Sequence, residues 1–362
     1  MSRQFYRLVL LVTAFLGIVH GSSAIARDLL ITAAKPDKLY VIDAKARKII
    51  GDFHISGANN HITTVVPSPD GKIAYVLVNR MESIVGINLK TGREVFRADL
   101  SSTHERVKDF FALTVTPNGK ELIAYELPTR LESSEYQVQE PRFAVFSTKG
   151  GLHAKPIRTF PAPRRVGVLL ARPNGRTFYA IGFDLYEYDL KSGALLGTRG
   201  VMNWQQPAHG QPDLLAFWPV TEPSGVFTSP IYSEMQKDSG ADAVTALMTL
   251  DLKSGELAYR DFEPTTALIF STVLSPDRKT AFGTYSTLTK IDVSASKLDK
   301  RVNNDHTYYS INMASDGSEV YAGGAMCDIV VYDAVTLERR GGIALPGCAD
   351  QALATLRVVK SR

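Results

Sequence analysis

The side chains able to carry chemistry are few and scattered along this sequence. Neither a GxSxG nor an HExxH motif occurs, and the two cysteines form no CxxC or CxxCH pair. The standard hydrolase, zinc-protease, iron–sulfur and covalent-haem sites therefore have no sequence basis. His54 and His61 flank one loop without a carboxylate at ligand spacing, so we interpret them as loop-packing residues. We expect no catalytic residue and no metal site in this chain.

In five of the repeats, a carboxylate stands just before a turn. The members of this series are Asp43, Asp189, Asp251, Asp292 and Asp333. A calcium or acid–base role is conceivable for such a series. Side-chain capping of backbone N–H groups, however, predicts this regular position directly. We assign these carboxylates to the fold.

Aromatic residues concentrate in loops of uneven length, where binding sites are usually built on a rigid scaffold. Phe111, Trp204, Tyr308 and Tyr309 are the candidates for a cavity wall or a partner-facing surface. Rings of this kind suit a partly wet interface. The alternative for any one of them is that it caps a hydrophobic layer between packed sheets.

The elements that must position these residues repeat about every 40 residues, which is typical of a repeat architecture. The clearest copy begins at Val65 and reads VVPSPDGKIAYVLVNRMESIVGINLKTGREVFRADL. Its Asp-Gly and Thr-Gly turns, separated by alternating apolar residues, predict a four-stranded antiparallel meander. Meanders of this size, with no helical segment between them, are best closed radially as an all-β propeller.

The two ends of the chain predict how the ring closes. The segment 29–53 supplies the last three strands of a blade, and the run 353–359 supplies the missing inner strand. Both termini then share one blade, and no ring edge is left unpaired. The sequence therefore predicts a single domain over residues 27–362, a seven-bladed β-propeller. A six-bladed ring would leave one terminal run without a partner.

The cysteines fall in two loops of the same blade. Cys327 lies between its second and third strands, and Cys348 follows its fourth. Both loop types emerge on the same side of a meander, so the thiols can approach each other in an oxidising compartment. A structural disulfide and two free thiols are the alternatives.

Residues 1–26 have the pattern of a cleaved signal peptide. Arg3 and Arg7 precede an apolar run, and small residues stand at Ala24 and Ala26. A membrane anchor is the alternative, but the run is shorter than the about 20 residues that span a bilayer. We expect a periplasmic mature chain without a membrane segment. Its charge of +4 − 2 = +2 after loss of both arginines gives no basis for nucleic-acid binding.

The non-repeating segments carry a family resemblance. Residues 35–43 (KPDKLYVID), 105–132 (ERVKDFFALTVTPNGKELIAYELPTRLE), 211–219 (QPDLLAFWP), 305–324 (DHTYYSINMASDGSEVYAGG) and 344–347 (ALPG) resemble the β subunit of quinohaemoprotein amine dehydrogenase. The repeated turns would match many propellers, so these insertions are the more specific part.

The resemblance implies a seven-bladed subunit of a periplasmic heterotrimer that deaminates primary amines oxidatively. A small subunit would carry cysteine tryptophylquinone, and a dihaem cytochrome c subunit would accept electrons into its two haem c groups. This chain would bind no cofactor; it would wall the substrate cavity and position the small subunit against the cytochrome. The pair Cys327 and Cys348 is not a feature of that family.

Two other functions remain open from the sequence. A lactonase-type hydrolase needs metal ligands at the residues where the inner strands begin. Among the predicted inner-strand starts, only Asn312 is a suitable ligand; the predicted start in blade 5 is Leu214. A periplasmic binding scaffold would need no such residue. A quinone-bearing partner that purifies with the chain would separate the scaffold from the dehydrogenase subunit.

Overall fold

A computed structural model describes residues 27–235, 242–351 and 353–361; the predicted signal peptide, 1–26, lies outside them. These residues form seven antiparallel sheets, and the predicted seven-bladed β-propeller is confirmed. Within the described ranges no helix is long and apolar enough to cross a bilayer. Short 3₁₀ helices lie at Gly151–His153 and Pro346–Cys348.

The strands are grouped by blade as follows. Blade 1 holds β1 (Arg27–Ala34), β2 (Lys38–Asp43), β3 (Lys48–His54) and the last strand, β29 (Arg357–Ser361). Blade 2 holds β4 (Ile62–Pro67), β5 (Ile73–Val78), β6 (Ser83–Asn88) and β7 (Glu94–Asp99). Blade 3 holds β8 (Glu105–Val115), β9 (Glu121–Leu131), β10 (Tyr136–Val138), β11 (Arg142–Ser147) and β12 (Pro156–Pro161). Blade 4 holds β13 (Val168–Ala171), β14 (Thr177–Ile181), β15 (Leu185–Asp189) and β16 (Leu195–Arg199).

The remaining blades follow the same order. Blade 5 holds β17 (His209–Leu214), β18 (Val226–Met235), β19 (Ala243–Asp251) and β20 (Leu257–Pro264). Blade 6 holds β21 (Ile269–Leu274), β22 (Thr280–Tyr285), β23 (Thr287–Asp292) and β24 (Lys297–Asn303). Blade 7 holds β25 (Ser310–Met313), β26 (Glu319–Gly323), β27 (Asp328–Asp333) and β28 (Arg339–Ala344).

The ring closes through both termini. Strand β29 pairs antiparallel with β1, and Leu29 lies opposite Val359. The C-terminal strand begins later than predicted, at Arg357 instead of Leu353. Leu353 has a left-handed backbone (φ 74°), and the Ala354 N–H donates to the Gln351 carbonyl, so a turn occupies the predicted start. Closure of this kind pairs the inner edge of β1 and completes blade 1 with a fourth strand.

Each pair of neighbouring blades encloses a layer of buried apolar side chains. Between blades 3 and 4 the Phe143 ring lies 5.2 Å from Phe178 and 5.0 Å from Tyr188. Edge-to-face pairs of this kind contribute about 0.5–1.5 kcal/mol each beyond the area that they bury. The layers fix the inner strands around the central channel, which is what positions the loops at its ends.

The carboxylates before the turns act as predicted. Asp189 Oδ1 accepts the backbone N–H of Ser192 at 2.7 Å, and Asp251 Oδ1 accepts that of Ser254 at 2.9 Å. Asp43, Asp292 and Asp333 make the equivalent contacts to the turns that follow them. The capping role of the series is confirmed.

Cys327 and Cys348 are joined in a disulfide that closes a loop with a sequence separation of 21. The Cys327 N–H also donates to the Ala349 carbonyl, and Met326 forms an isolated bridge with Asp350. The disulfide therefore ties the loop after β26 to the segment after β28.

Candidate functional site

The two faces of the ring differ in the connections that they carry. Turns from first to second and from third to fourth strands emerge on one side, which we call the turn face. Connections from second to third strands and between blades emerge on the other, which we call the loop face. The turn face holds short turns such as that of blade 2, where Gly92 closes the turn with a left-handed φ of 70°. The loop face holds the longer, irregular segments.

A bulge in β8 brings two aromatic rings to the channel mouth on the loop face. The register of β8 against β9 shifts between Asp109 and Leu113, and Phe111 takes a left-handed φ of 66°. The Asp109 carboxylate accepts the Ala112 N–H at 3.0 Å, and Thr64 donates its hydroxyl to the Phe111 carbonyl at 2.9 Å. These two bonds stabilise a backbone conformation that a non-glycine residue adopts rarely.

The rings of this bulge begin a continuous series across four blades. Phe110 and Phe111 lie 4.7 Å apart, and Phe217 lies 5.5 Å from Phe111. The series, which we call the aromatic arc, consists of Phe110, Phe111, Phe217, Trp218, Phe270, Tyr285 and Tyr309.

The second half of the arc is a ladder of nearly parallel rings. Phe270 stacks on Tyr285 at 4.0 Å with an interplanar angle of 11°, and on Tyr309 at 5.2 Å. Trp218 continues the ladder, 6.0 Å from Phe270 at 19°. Parallel rings of this kind offer edges and faces for further stacking.

The arc is only partly covered by its own protein. Phe110 is 41% exposed, while Phe217, Phe270 and Tyr309 are half-buried. Phe111 and Trp218 are buried, and the Trp218 indole N–H has no hydrogen-bond acceptor within the described structure. A buried donor without an acceptor costs about 1–3 kcal/mol. The arc therefore combines exposed aromatic area with an unmet donor.

Buried carboxyl groups lie in blade 3, next to the end of the arc formed by Phe110 and Phe111. Asp109 is fully buried, and its pKa is raised well above the usual value by burial, with the charge of Glu126 acting in the same direction. Burial also raises the pKa of Glu126, against the opposing effect of Arg142. The Arg142 guanidinium donates to Glu126 at 2.6 Å and to Glu105 at 2.9 Å. Burial thus favours a neutral Asp109, whose second oxygen has no donor.

The four candidates from the sequence divide into two pairs. Phe111 and Tyr309 belong to the arc. Trp204 is buried between blades 4 and 5, where its indole N–H donates to the Gly210 carbonyl at 3.0 Å. Tyr308 is fully buried and donates its hydroxyl to Asp328 at 3.0 Å. Trp204 and Tyr308 are thus packing residues between blades, and they lie outside the arc.

Sequence reasoning selected neither Phe217 nor Phe270, although one signal points to both. Phe111, Phe270 and Tyr309 occupy one position of the repeat: each stands five residues before the residue that opens the first turn of its blade, Thr116, Ser275 or Ala314. Phe217 approaches the channel in the same way in blade 5. An aromatic residue at this position of the repeat would have identified most of the arc.

Asn312, the one candidate metal ligand of the hydrolase hypothesis, is used by the fold. Its Nδ2 donates to the Leu356 carbonyl at 3.0 Å, and its Oδ1 accepts the Met313 N–H at 2.8 Å. In the described part of the chain, no three His, Cys, Asp or Glu side chains lie close enough to hold a metal ion.

No protein-family model matches the sequence, and no curated protein matches it. Solved structures do. The chain is similar to Kuenenia stuttgartiensis hydrazine synthase, with a TM-score of 0.56 and 12% identity over 86% of this chain and 90% of that one. It is similar to dihydro-heme d1 dehydrogenase NirN, with a TM-score of 0.54 and 12% identity over 91% of this chain and 74% of that one.

A protein of unknown function from Desulfotomaculum acetoxidans is also similar, with a TM-score of 0.58 and 12% identity over 93% of this chain and 99% of that one. Likeness at this identity establishes the fold alone. The chain is a seven-bladed β-propeller protein.

Proposed function

We propose that this chain is the non-redox β-propeller subunit of a periplasmic amine dehydrogenase of the quinohaemoprotein type. It holds a small quinone-bearing subunit against a dihaem cytochrome c subunit and walls the cavity in which a primary amine is oxidised. The quinone and the haems belong to the partner subunits, and the catalytic groups lie there as well.

The aromatic arc is the observation that carries this proposal. Protein interfaces are enriched in Tyr, Trp and Phe at their centres, and a few such residues supply most of the binding energy. The arc offers these residues as one connected surface at the mouth of the channel. Its ring-to-ring contacts fix the side chains before binding, which lowers the entropy cost of association.

The segments that resemble the dehydrogenase subunit also supply most of the arc. Residues 105–132 contain Phe110 and Phe111, residues 211–219 contain Phe217 and Trp218, and residues 305–324 contain Tyr309. The resemblance thus falls on the surface that a partner would contact, as expected for a shared partner. Two of the structural neighbours are named as enzymes, a synthase and a dehydrogenase, which agrees with a propeller that takes part in catalysis.

In this role the chain contributes position and exclusion of water. Tyr309, which is half-buried at the channel mouth, would form apolar wall at the cavity, and the buried Phe111 would support the exposed Phe110 from behind. The hydrogen bond that Asp109 accepts from the Ala112 N–H stabilises the β8 bulge, so Phe110 and Phe111 keep their positions when the partner binds. Precise placement of reacting groups is itself a large contribution to catalysis.

The direct test is isolation of the native protein. Cells grown on a primary amine are fractionated, the periplasmic complex is followed with an antibody against this chain, and subunit masses and the visible spectrum are recorded. We expect haem bands, a small cross-linked polypeptide and reduction of the haems when amine is added. A colourless single chain of the mature mass would contradict the proposal.

A further inference from the structure

A cleft of about 520 Å³ lies on the loop face between blades 3 and 4, beside the aromatic arc. Its walls are Phe110, Leu127, Gly167 and Phe217, and its remaining lining comes from Arg164 and Arg165. A volume of this size is within the range of about 300–1,000 Å³ that small-molecule sites occupy. An apolar floor with a few charged groups is also typical of such sites.

The two arginines differ in how far the protein already uses them. Arg164 makes long contacts of 3.3 Å with Glu140 and 3.4 Å with the Gln139 carbonyl, and Glu140 is itself 86% exposed. Arg165 forms no ion pair with any carboxylate in the described residues. Its guanidinium carbon lies 5.8 Å from the centre of the Phe183 ring, and Arg165 contributes to the lining of the cleft. One cation is thus weakly paired and the other has only an aromatic neighbour.

The chain around Arg165 is built to fix this position. Arg165 has a left-handed φ of 68°, and its carbonyl packs tightly against Gly182. The preceding Pro163 carbonyl accepts the Tyr125 hydroxyl at 2.9 Å. Fixed backbone on both sides sets the point at which the Arg165 side chain leaves the chain, so the residue is held at the cleft before an anion binds.

We propose that this cleft binds a small aromatic carboxylate, with the ring against Phe110 and Phe217 and the carboxylate on Arg164 and Arg165. The ring stacks on the exposed aromatic floor, and the guanidinium groups donate charge-assisted hydrogen bonds. A protonated amine would be repelled by the same two cations, so the cleft is distinct from the amine cavity of the proposed function. Because Phe110 and Phe217 also belong to the aromatic arc, a partner bound on the arc would cover this cleft, so the site is one of the free chain.

The test uses the isolated mature chain and ligand-observed NMR titration with 2-naphthoate, 2-naphthamide and acetate. We expect saturable binding of 2-naphthoate, with 2-naphthamide at least about tenfold weaker because it lacks the charge. Acetate should not compete at equal concentration. Equal binding of naphthoate and naphthamide, or no saturable binding of either, would overturn the proposal.

Matched variants locate the site. Arg165→Gln should weaken 2-naphthoate about tenfold. Arg176→Gln, which removes the same charge from an exposed position on the turn face, should leave the affinity unchanged. Circular dichroism melting checks that both variants fold. Equal affinities of the two variants for 2-naphthoate would overturn the assignment. Binding of a peptide with alternating Glu and Trp, with no binding of 2-naphthoate, would overturn it as well.

Discussion

The turn face and the loop face of this propeller satisfy their polar groups differently. On the turn face, the side chain that opens a turn also caps it; Asn88 Oδ1, for example, accepts the N–H groups of Lys90 and Thr91 at 3.0 Å. On the loop face, His61 Nε2, Asp109 Oδ2 and Trp218 Nε1 are buried without a partner in the described residues. The turn face has at least one such atom as well, Asp28 Oδ1 beside the first turn of blade 7. The loop face combines its unmet polar atoms with exposed aromatic rings, as a binding surface does.

The largest expected effect on stability is at the loop-face disulfide. Replacing both Cys327 and Cys348 by serine should lower the free energy of unfolding by about 3 kcal/mol, because a crosslink over 21 residues restricts the unfolded chain. Urea unfolding of the two proteins measures this difference. Treating the unmodified protein with a reductant is the matched control and should give the same loss. A change below about 0.5 kcal/mol would mean that the loop-face segments of blade 7 are held by other contacts.

The pH dependence of stability tests the role of Asp109, one of the buried polar groups without a full set of partners on the loop face. Its pKa is raised in the folded protein, so the folded state retains a proton that the unfolded chain loses near pH 4. The free energy of unfolding therefore falls as the pH rises from there through the folded value. Asp109→Asn keeps an acceptor for the Ala112 N–H and cannot ionise. We expect this variant to match the wild type at pH 4 and to exceed it by about 1–2 kcal/mol above neutrality.

The control for this prediction is Asp109→Ala, which loses the acceptor that stabilises the bulge. It should be less stable than Asp109→Asn at both pH values, measured by the same urea unfolding. If the free energy of unfolding of the wild type instead rises relative to that of Asp109→Asn as the pH increases, the pKa of Asp109 is not raised in the folded protein.

The turn face predicts the opposite dependence on pH and a smaller effect. Asp316 accepts the hydroxyl and the backbone N–H of Ser318 at 2.6 and 2.9 Å, and the Ser318 hydroxyl lowers the pKa of Asp316. A lowered folded pKa adds stability above the unfolded value, and this is lost as the pH falls through the folded one. Asp316→Ala should cost about 0.5–1 kcal/mol at pH 7 and less in acid.

Asp316→Asn separates the charge from the hydrogen bond. It retains an acceptor, so it should keep most of the stability while losing the pH dependence. Thermal melting at pH 7 and pH 3 compares the three proteins. If Asp316→Ala lost more stability relative to the wild type at pH 3 than at pH 7, the pKa of Asp316 would not be lowered in the folded protein.

The turn face could be predicted almost completely from the sequence, because its information is local. A turn such as that at Asp251 depends on residues within three positions, and the same pattern returns in every blade. Ring closure was also predictable, since the unmatched runs at the two ends fit one blade. The start of β29 was not, because the left-handed backbone of Leu353 depends on its surroundings.

The loop face required the structure, because its contacts join residues far apart in the chain. Blade 3 has five strands instead of four, since the insertion folds back and β10 pairs with the end of β9. In blade 5, β17 ends at Leu214, where the inner strand was predicted to begin, and this error hid Phe217. Trp204 and Tyr308 resemble Phe111 and Tyr309 in residue type and loop context; only packing distinguishes them.

The central claim is that the aromatic arc binds the partner subunits. The most direct measurement compares two double variants for binding to the partner fraction from the native complex. Phe217→Ser with Tyr309→Ser removes two half-buried rings of the arc; Leu195→Ser with Leu196→Ser removes two exposed apolar side chains from β16. The arc variant should bind at least about 100-fold more weakly, while the β16 variant binds like the wild type. Equal binding by both variants would contradict the account.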